Sequence, residues 1–404
     1  MLINNFKTEL QLLIACCKAA FDNDYKQFVY NFIEKQTVDW NDLLQLSAIH
    51  SVRPLLLKGL LDLQTNKIPA DFKATLSEIC EKINIHNTLF SKELFSIMDA
   101  MKNNHITIVP YKGIALIHTV YKAVGLREFG DMDLLMYASD IPMMKKTMAN
   151  LGYKNEFDWT DDEEVMMLRV NSEYNFSLID NLGTHYRVEP HYQAAHPTYS
   201  IDLKLKHIEN HIFIHSINNH NIPFFSPTAS LILLLPNHGV SEGWTTLKYL
   251  FDMHLLIKDN AAALDWNFII QEAKRMSIYN NMLIGFGVIQ NVFQTPLPIF
   301  LTEFMRKPSI QQQIVERVIC LNEHEKVTFK TQFKKGIFNL KSRDNMRVRL
   351  KMCFYQLFMP NNSDFIEIKF HKNLFFLYFM LRPFRILYWY FGKKNKIVKK
   401  KQSY

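Results

Sequence analysis

The stretch from His105 to Met136 constrains the fold of this chain more than any other. Ile106-Thr107-Ile108-Val109-Pro110 is short, β-branched and closed by proline, which predicts a strand. A helix is expected from Gly113, with Ile114, Leu116, Ile117, Val120 and Tyr121 as its apolar positions. Gly125 then breaks the pattern, and Phe129 to Met136 reads as a second strand. Strand, helix and strand within about thirty residues make a nucleotide-binding sort of unit.

Around this unit the spacing is helical. Trp40, Leu43, Leu44, Leu46 and Ala48, followed by Val52, Leu55, Leu56 and Leu60, recur at helical intervals. Asp39 is placed to cap a helix, and Pro54 lies just after its end. Beyond the unit, a helix from Ile141 to Leu151 stops at Gly152, and an acid-rich loop runs from Asp158 to Glu164. A strand from Tyr174 to Ile179 then turns through Asn181-Leu182-Gly183 into Tyr186 to His191. From Thr228 onward helices return, at Ser230 to Leu235, Thr246 to Ile257 and Trp266 to Met276. Twelve Gly and fourteen Pro are few for 404 residues, which favours helices with short connections, and 48% apolar content is ample for a core. The expected division is an N-terminal helical region (1–103), a sheet-bearing core (104–227), a C-terminal helical region (228–329) and a basic, aromatic segment (330–404).

The chemistry concentrates in Gly130-Asp131-Met132-Asp133-Leu134-Leu135. Side chains at i and i+2 of a strand share a face, so Asp131 and Asp133 point together while Met132 and Leu134 pack behind. Adjacent carboxylates repel unless a cation lies between them, and hard oxygen ligands at this spacing suit Mg²⁺ or Mn²⁺. An aspartate pair by itself is more often a solvated turn. What adds weight here is the Tyr111-Lys112-Gly113 turn, which places a glycine and a helix N-terminus where phosphates would rest. Lys112 and Arg127 would neutralise phosphate charge, Arg127 through a bidentate fork. His185, His191 and His196 are spaced by six and five residues, so they share no helix or strand face. His238 is expected to cap or pack between helices, and Asp252 to be a surface or capping acid unless the fold brings it to the cleft.

With these residues in view, the chain resembles the uncharacterised nucleotidyltransferases of the DNA polymerase beta-like superfamily. The resemblance is carried by Lys112-Gly113-Ile114-Ala115-Leu116, Tyr121, Arg127, Gly130 to Leu135 and Leu151-Gly152-Tyr153. It extends to Trp40, to Leu43 through Leu56, to His238, Trp244 and Leu247 through Asp252, and to Arg382-Pro383. It implies an α+β fold, a small mixed sheet flanked by helices and mostly helical overall. It also implies that Asp131 and Asp133 hold two divalent ions with a third carboxylate from a later strand. Glu189 is the local candidate, since alternation sets Arg187, Glu189 and His191 on one face. Two departures stand out: Pro190 interrupts that strand, and Ile114 occupies the position where the superfamily usually has serine. The implied reaction is transfer of a nucleoside monophosphate from a nucleoside triphosphate to an acceptor hydroxyl on a small molecule, glycan precursor or peptide. The alternative is a catalytically silent relative that binds a nucleotide or a partner.

Charge and cysteine usage bound the remainder. Residues 330 to 404 hold 18 Lys and Arg against three acids, so that segment carries +15 and the rest of the chain −7, for a net of +8. Five cysteines without a CxxC spacing argue against structural zinc and for a reducing, cytoplasmic compartment. Leu13-Ile14-Ala15-Cys16 resembles a lipoprotein cleavage site, but Glu9 breaks the approach, and an amphipathic first helix burying Leu10, Leu13, Ile14 and Cys17 is expected instead. Leu374 to Phe391 is apolar and aromatic but interrupted by Arg382 and Arg385, too short a run to span a bilayer. With Lys393, Lys394, Lys396 and Lys399 to Lys401 beyond it, residues 371–404 suit an anionic membrane surface, and so a peripheral place on the inner face of the membrane. Packing on the body with a solvated tail stays equally open. Nothing reads as a base-specific nucleic-acid module.

Overall fold

The computed structural model describes residues 6–157, 159–322 and 329–392. Five helices come first: α1 (Thr8–Ala19), α2 (Asp24–Lys35), α3 (Trp40–Ile49), α4 (Arg53–Leu60) and α5 (Ala70–Asn103). Asp39 caps α3 by accepting from the N–H groups of Asn41 and Asp42. α1 buries Leu10, Leu13, Ile14 and both Cys16 and Cys17, so neither thiol is displayed. Gly59 of α4 lies against the backbone of Cys16, and any Cβ there would overlap its carbonyl.

The sheet is built from β1 (Ile108–Pro110), β2 (Met132–Met136), β3 (Lys154–Asn155), β4 (Phe176–Ile179) and β5 (His185–His191), with α6 (Gly113–Thr119) and α7 (Ile141–Asn150) in its connections. Strand order is β1-β2-β5-β4-β3. Only β2 and β5 run parallel, so the sheet is mixed as the resemblance implies. Alternation divides β2 cleanly. Met132, Leu134 and Met136 join Val188 in a core with Phe90, Leu94 and Ile97 of α5, Ile114 and Ile117 of α6 and Met144 and Met148 of α7, while Asp133 and Leu135 face the opposite side.

The acid-rich segment departs from the expected loop. Thr160 and Glu163 form a reciprocal capping box, and α8 (Asp161–Met167) begins there with four acids in its first turn, where the helix dipole favours negative charge. Asp158 lies outside the described residues.

A hairpin of β6 (Ile212–Ile217) and β7 (His220–Phe225) leads to α9 (Pro227–Leu234), a π-helical turn (Leu235–Ser241), α10 (Leu247–Asn260), α11 (Trp266–Arg275), α12 (Tyr279–Phe293), α13 (Ile299–Met305) and α14 (Pro308–Cys320). The largest apolar core is shared by the first helices, these later ones, Val109 and Leu135 of the sheet, and Tyr111 just after β1. Helices from both ends of the chain thus close over the face of the sheet that carries Asp133.

The last segment forms α15 (Phe329–Lys341), α16 (Met346–Phe358), α17 (Asn362–Glu367) and α18 (Phe376–Gly392). Met359, Phe365 and Tyr378 pack on Met166, Met167 and Val170, seating this segment beside α8. Among the described residues no helix is long and apolar enough to cross a membrane.

Candidate active site

The cleft is assembled by strand register. Pairing β2 with β5 in parallel sets Asp133 opposite Glu189 and Leu135 opposite His191, with Asp133, Glu189 and His191 all on the face turned to the helical layer. Ligand atoms of these three residues lie within 4.8 Å of one another. Asp131 precedes the strand and lines the same cleft, of about 560 Å³, together with Lys112, Gly113, Arg127, Glu173, Asn237, His238, Lys248 and Tyr249. All six residues singled out in the sequence therefore reach one cavity.

Asp133 is the best-partnered of the acids. Its Oδ1 accepts from Lys112 Nζ at 2.7 Å and lies 3.0 Å from His191 Nε2. Burial alone would raise its pKa, but Lys112 and His191 hold it well below the carboxylate range. Asp131 has no ion pair among the described residues, and its pKa is raised by burial and by Asp133. Glu189 is likewise raised by burial and then by Asp133 and Asp131; among the described residues its cations are Arg187 at 3.6 Å and His191 at 3.8 Å.

His191 links this cluster to an acid that sequence reasoning missed. Its Nδ1 stands 3.0 Å from Glu173 Oε2, an ion-pair distance without hydrogen-bond alignment. Burial pushes the imidazole pKa down, but Glu173 and Asp133 outweigh it and hold it at about 9. Glu173 lies between α8 and β4 and joins His191 through an isolated bridge, so only tertiary pairing brings it here. His185 stays exposed and His196 accepts from Thr198 N–H, so the three histidines do not converge.

The phosphate-side residues meet a fuller account than their types suggest. Lys112 precedes α6, and Gly113 is packed so that a Cβ would sit 3.0 Å from Phe129 Cβ and 3.4 Å from the Asp131 carbonyl. The glycine therefore lets the Lys112 turn rest on the aspartate loop. Ile114 points away, into the core beneath the sheet, so no side chain at that position would reach the cleft.

Arg127 is only 4% exposed, and its fork is used by Asp252: Nε donates to Oδ1 at 2.8 Å and NH2 to Oδ2 at 2.7 Å. Tyr121 Oη donates to the same carboxylate at 2.8 Å, and His238 Nε2 lies 3.0 Å from it. Asp252 is thus no surface acid but the fully buried hub that fastens the sheet loop to α10 and to the π-helical turn. Its pKa is pulled far down, because Arg127 and His238 overcome the effect of burial. Arg127 keeps one lightly used edge, NH1, which donates to the Glu128 carbonyl at 3.4 Å. Lys248 also lines the cleft, without an ion pair among the described residues, its pKa lowered by burial and then by Arg127. The resemblance takes in Leu247 through Asp252 but gives Lys248 no role; α10 has to dock before it faces the acids.

A five-stranded mixed sheet whose parallel pair sets carboxylates side by side beneath a helical layer, with cations on the opposite wall, has the build of a nucleotidyltransferase. In agreement, the model of the uncharacterised nucleotidyltransferase family matches residues 36–294, and this chain belongs to that family. No curated protein and no solved structure matches the chain.

Proposed function

We propose that the chain transfers a nucleoside monophosphate from a nucleoside triphosphate to an acceptor hydroxyl, breaking the α–β phosphoanhydride bond and releasing pyrophosphate, in the cleft around Asp131, Asp133 and Glu189. The observation that carries this reading is the β2–β5 register, which brings Glu189 beside Asp133 as the third carboxylate. The donor set suits a divalent ion. Asp131 has no ion pair among the described residues, and burial, followed by the neighbouring acids, pushes the pKa values of both Asp131 and Glu189 up. Oxygen donors with one imidazole fit Mn²⁺ as well as Mg²⁺. A bound divalent ion would neutralise the triphosphate and hold attacking and leaving oxygens in line. Glu189 would complete the ligand set and draw the proton from the acceptor hydroxyl. Lys112 and Lys248 would meet phosphate oxygens, and Arg127, fixed by Asp252, would offer its NH1 edge. Residues 104–227 form the proposed catalytic unit, and Asn237, Lys248 and Tyr249 line its cleft from the helices that follow.

A silent, nucleotide-binding relative is favoured by one feature: Lys112 and His191 already neutralise Asp133. Incubation with labelled nucleoside triphosphates, Mn²⁺ or Mg²⁺ and an acceptor mixture separates the two readings. Transfer that disappears in the Asp131→Ala/Asp133→Ala double variant supports the enzyme; full activity in that variant overturns it.

A further inference from the structure

The end of the chain turns a strongly apolar surface outward. On α16, Met346, Leu350, Phe354 and Leu357 recur at intervals of four, four and three, one face of a helix, and Leu350 is 65% exposed. On α18, Phe376, Met380, Phe384, Leu387 and Tyr388 form a second stripe, with Phe384 69% exposed. The two helices pack against each other, and their buried residues, Met352 and Tyr378, lie on the sides opposite these stripes. Scattered single apolar residues need no explanation, but nine on two adjoining helices do.

The charge around this face has one sign. Arg382 and Arg385 are spent on Asp364, at 3.1 and 2.6 Å, so they anchor α18 to α17. Arg347 and Lys351, by contrast, are exposed on α16, a helix without a single acid and without an ion pair among the described residues. Six further lysines, Lys393, Lys394, Lys396 and Lys399 to Lys401, follow α18 in the sequence and lie outside the described residues.

From this pairing of apolar stripes with uncompensated basic charge, we infer that the outer face of α16 and α18 docks on an anionic lipid surface, lying in the interface without crossing it. The apolar side chains enter the headgroup and acyl boundary, while Arg347 and Lys351 meet lipid phosphates. A polynucleotide would use the charge but has no need of nine exposed apolar residues. A second copy of the chain would use the apolar stripes but would set like charges against each other. The surface carries no residue of the cleft, so the inference stands apart from the proposed reaction.

The test is flotation of the full-length chain with vesicles of phosphatidylcholine alone and of phosphatidylcholine with phosphatidylglycerol. The expected result is binding to the anionic vesicles only, weakened by salt. Leu350→Glu/Phe384→Glu should lower it at least tenfold, and Arg347→Glu/Lys351→Glu by about fivefold or more per residue. Equal binding to neutral vesicles, or none to either, overturns the inference. It is equally overturned if the apolar variants shift a monomer–dimer equilibrium in sedimentation and leave flotation unchanged, or if the charge variants weaken only polynucleotide binding. Because all four positions are exposed, an unchanged melting temperature marks the variants as folded.

Discussion

At the scale of single residues, the cleft is a problem of charge balance. His191 is held at about 9, against the push of burial, by Glu173 and Asp133, so without a cation it is protonated at neutral pH. A divalent ion that takes the imidazole as a ligand must displace that proton. Its affinity should therefore rise with pH from about 6.5 to 9, and calorimetry in two buffers of different ionisation enthalpy should register proton release. Glu173 lies at ion-pair distance from His191 on the far side, where it would support the ring as a ligand, so Glu173→Gln should weaken Mn²⁺ binding by roughly tenfold to a hundredfold. Unchanged affinity in that variant would remove Glu173 from the site. Arg127 and Asp252 present the opposite situation, a fully buried pair with its partners in place. Asp252→Ala strands the guanidinium and should cost about 3–5 kcal/mol in denaturant unfolding, whereas Arg127→Met/Asp252→Leu should recover much of that loss. Asp131, Asp133, Lys112 and Gly113 were legible as a group because they lie in one supersecondary unit, where strand alternation and turn chemistry are local. Glu173, Lys248 and the Asp252 hub were not, because each joins the site across a contact distant in sequence.

At the scale of elements, the helices and strands read from the pattern recur with ends shifted by a few residues, while α8, β3 and the β6–β7 hairpin are not read from it. The acids before Met166 read as a loop by composition, yet Thr160 and Glu163 cap one another and the remaining acids favour a helix N-terminus. β5 tolerates Pro190 because that residue lies past the end of the β4 ladder, where its carbonyl still accepts from Tyr174 N–H and no N–H is called for, so Glu189 and His191 keep their face. Close packing of α1 on α4 rests on Gly59, whose missing side chain leaves room for the Cys16 backbone. Gly59→Ala must push the two helices apart, and we expect a loss of about 2–4 kcal/mol with a matching fall in melting temperature. A fall of less than half a kilocalorie would show that α4 can slide instead.

Over the whole molecule, stability is tied to histidines that are buried uncharged. His254 lies on α10 against Phe293 of α12, its Nδ1 2.7 Å from Thr295 Oγ1, and burial, followed by Lys258 and Lys18, lowers its pKa to about 3. Its unfolded value is near 6.5, so between those values the unfolded chain binds the extra proton and stability falls as pH falls. From pH 6.5 to 5 that amounts to roughly 2 kcal/mol, and His254→Gln should flatten the wild-type slope over this range by about that amount in urea titrations. A variant with the same slope would relocate the effect.

The amino-acid order by itself determined the local units: the strand, turn and strand that carry Lys112, Gly113, Asp131 and Asp133, the helical spacing on either side, and the family to which they belong. Periodicity and turn chemistry act over a few residues, and these features need no more. The tertiary structure alone decided what surrounds the acids: the parallel register that sets Glu189 beside Asp133, the approach of Glu173 to His191, and the capture of Arg127 by Asp252 from 125 residues away. It also decided which side of the C-terminal helices faces outward. Those outcomes depend on long-range docking of apolar faces, and a side chain's partner across such an interface is not written in its own neighbourhood.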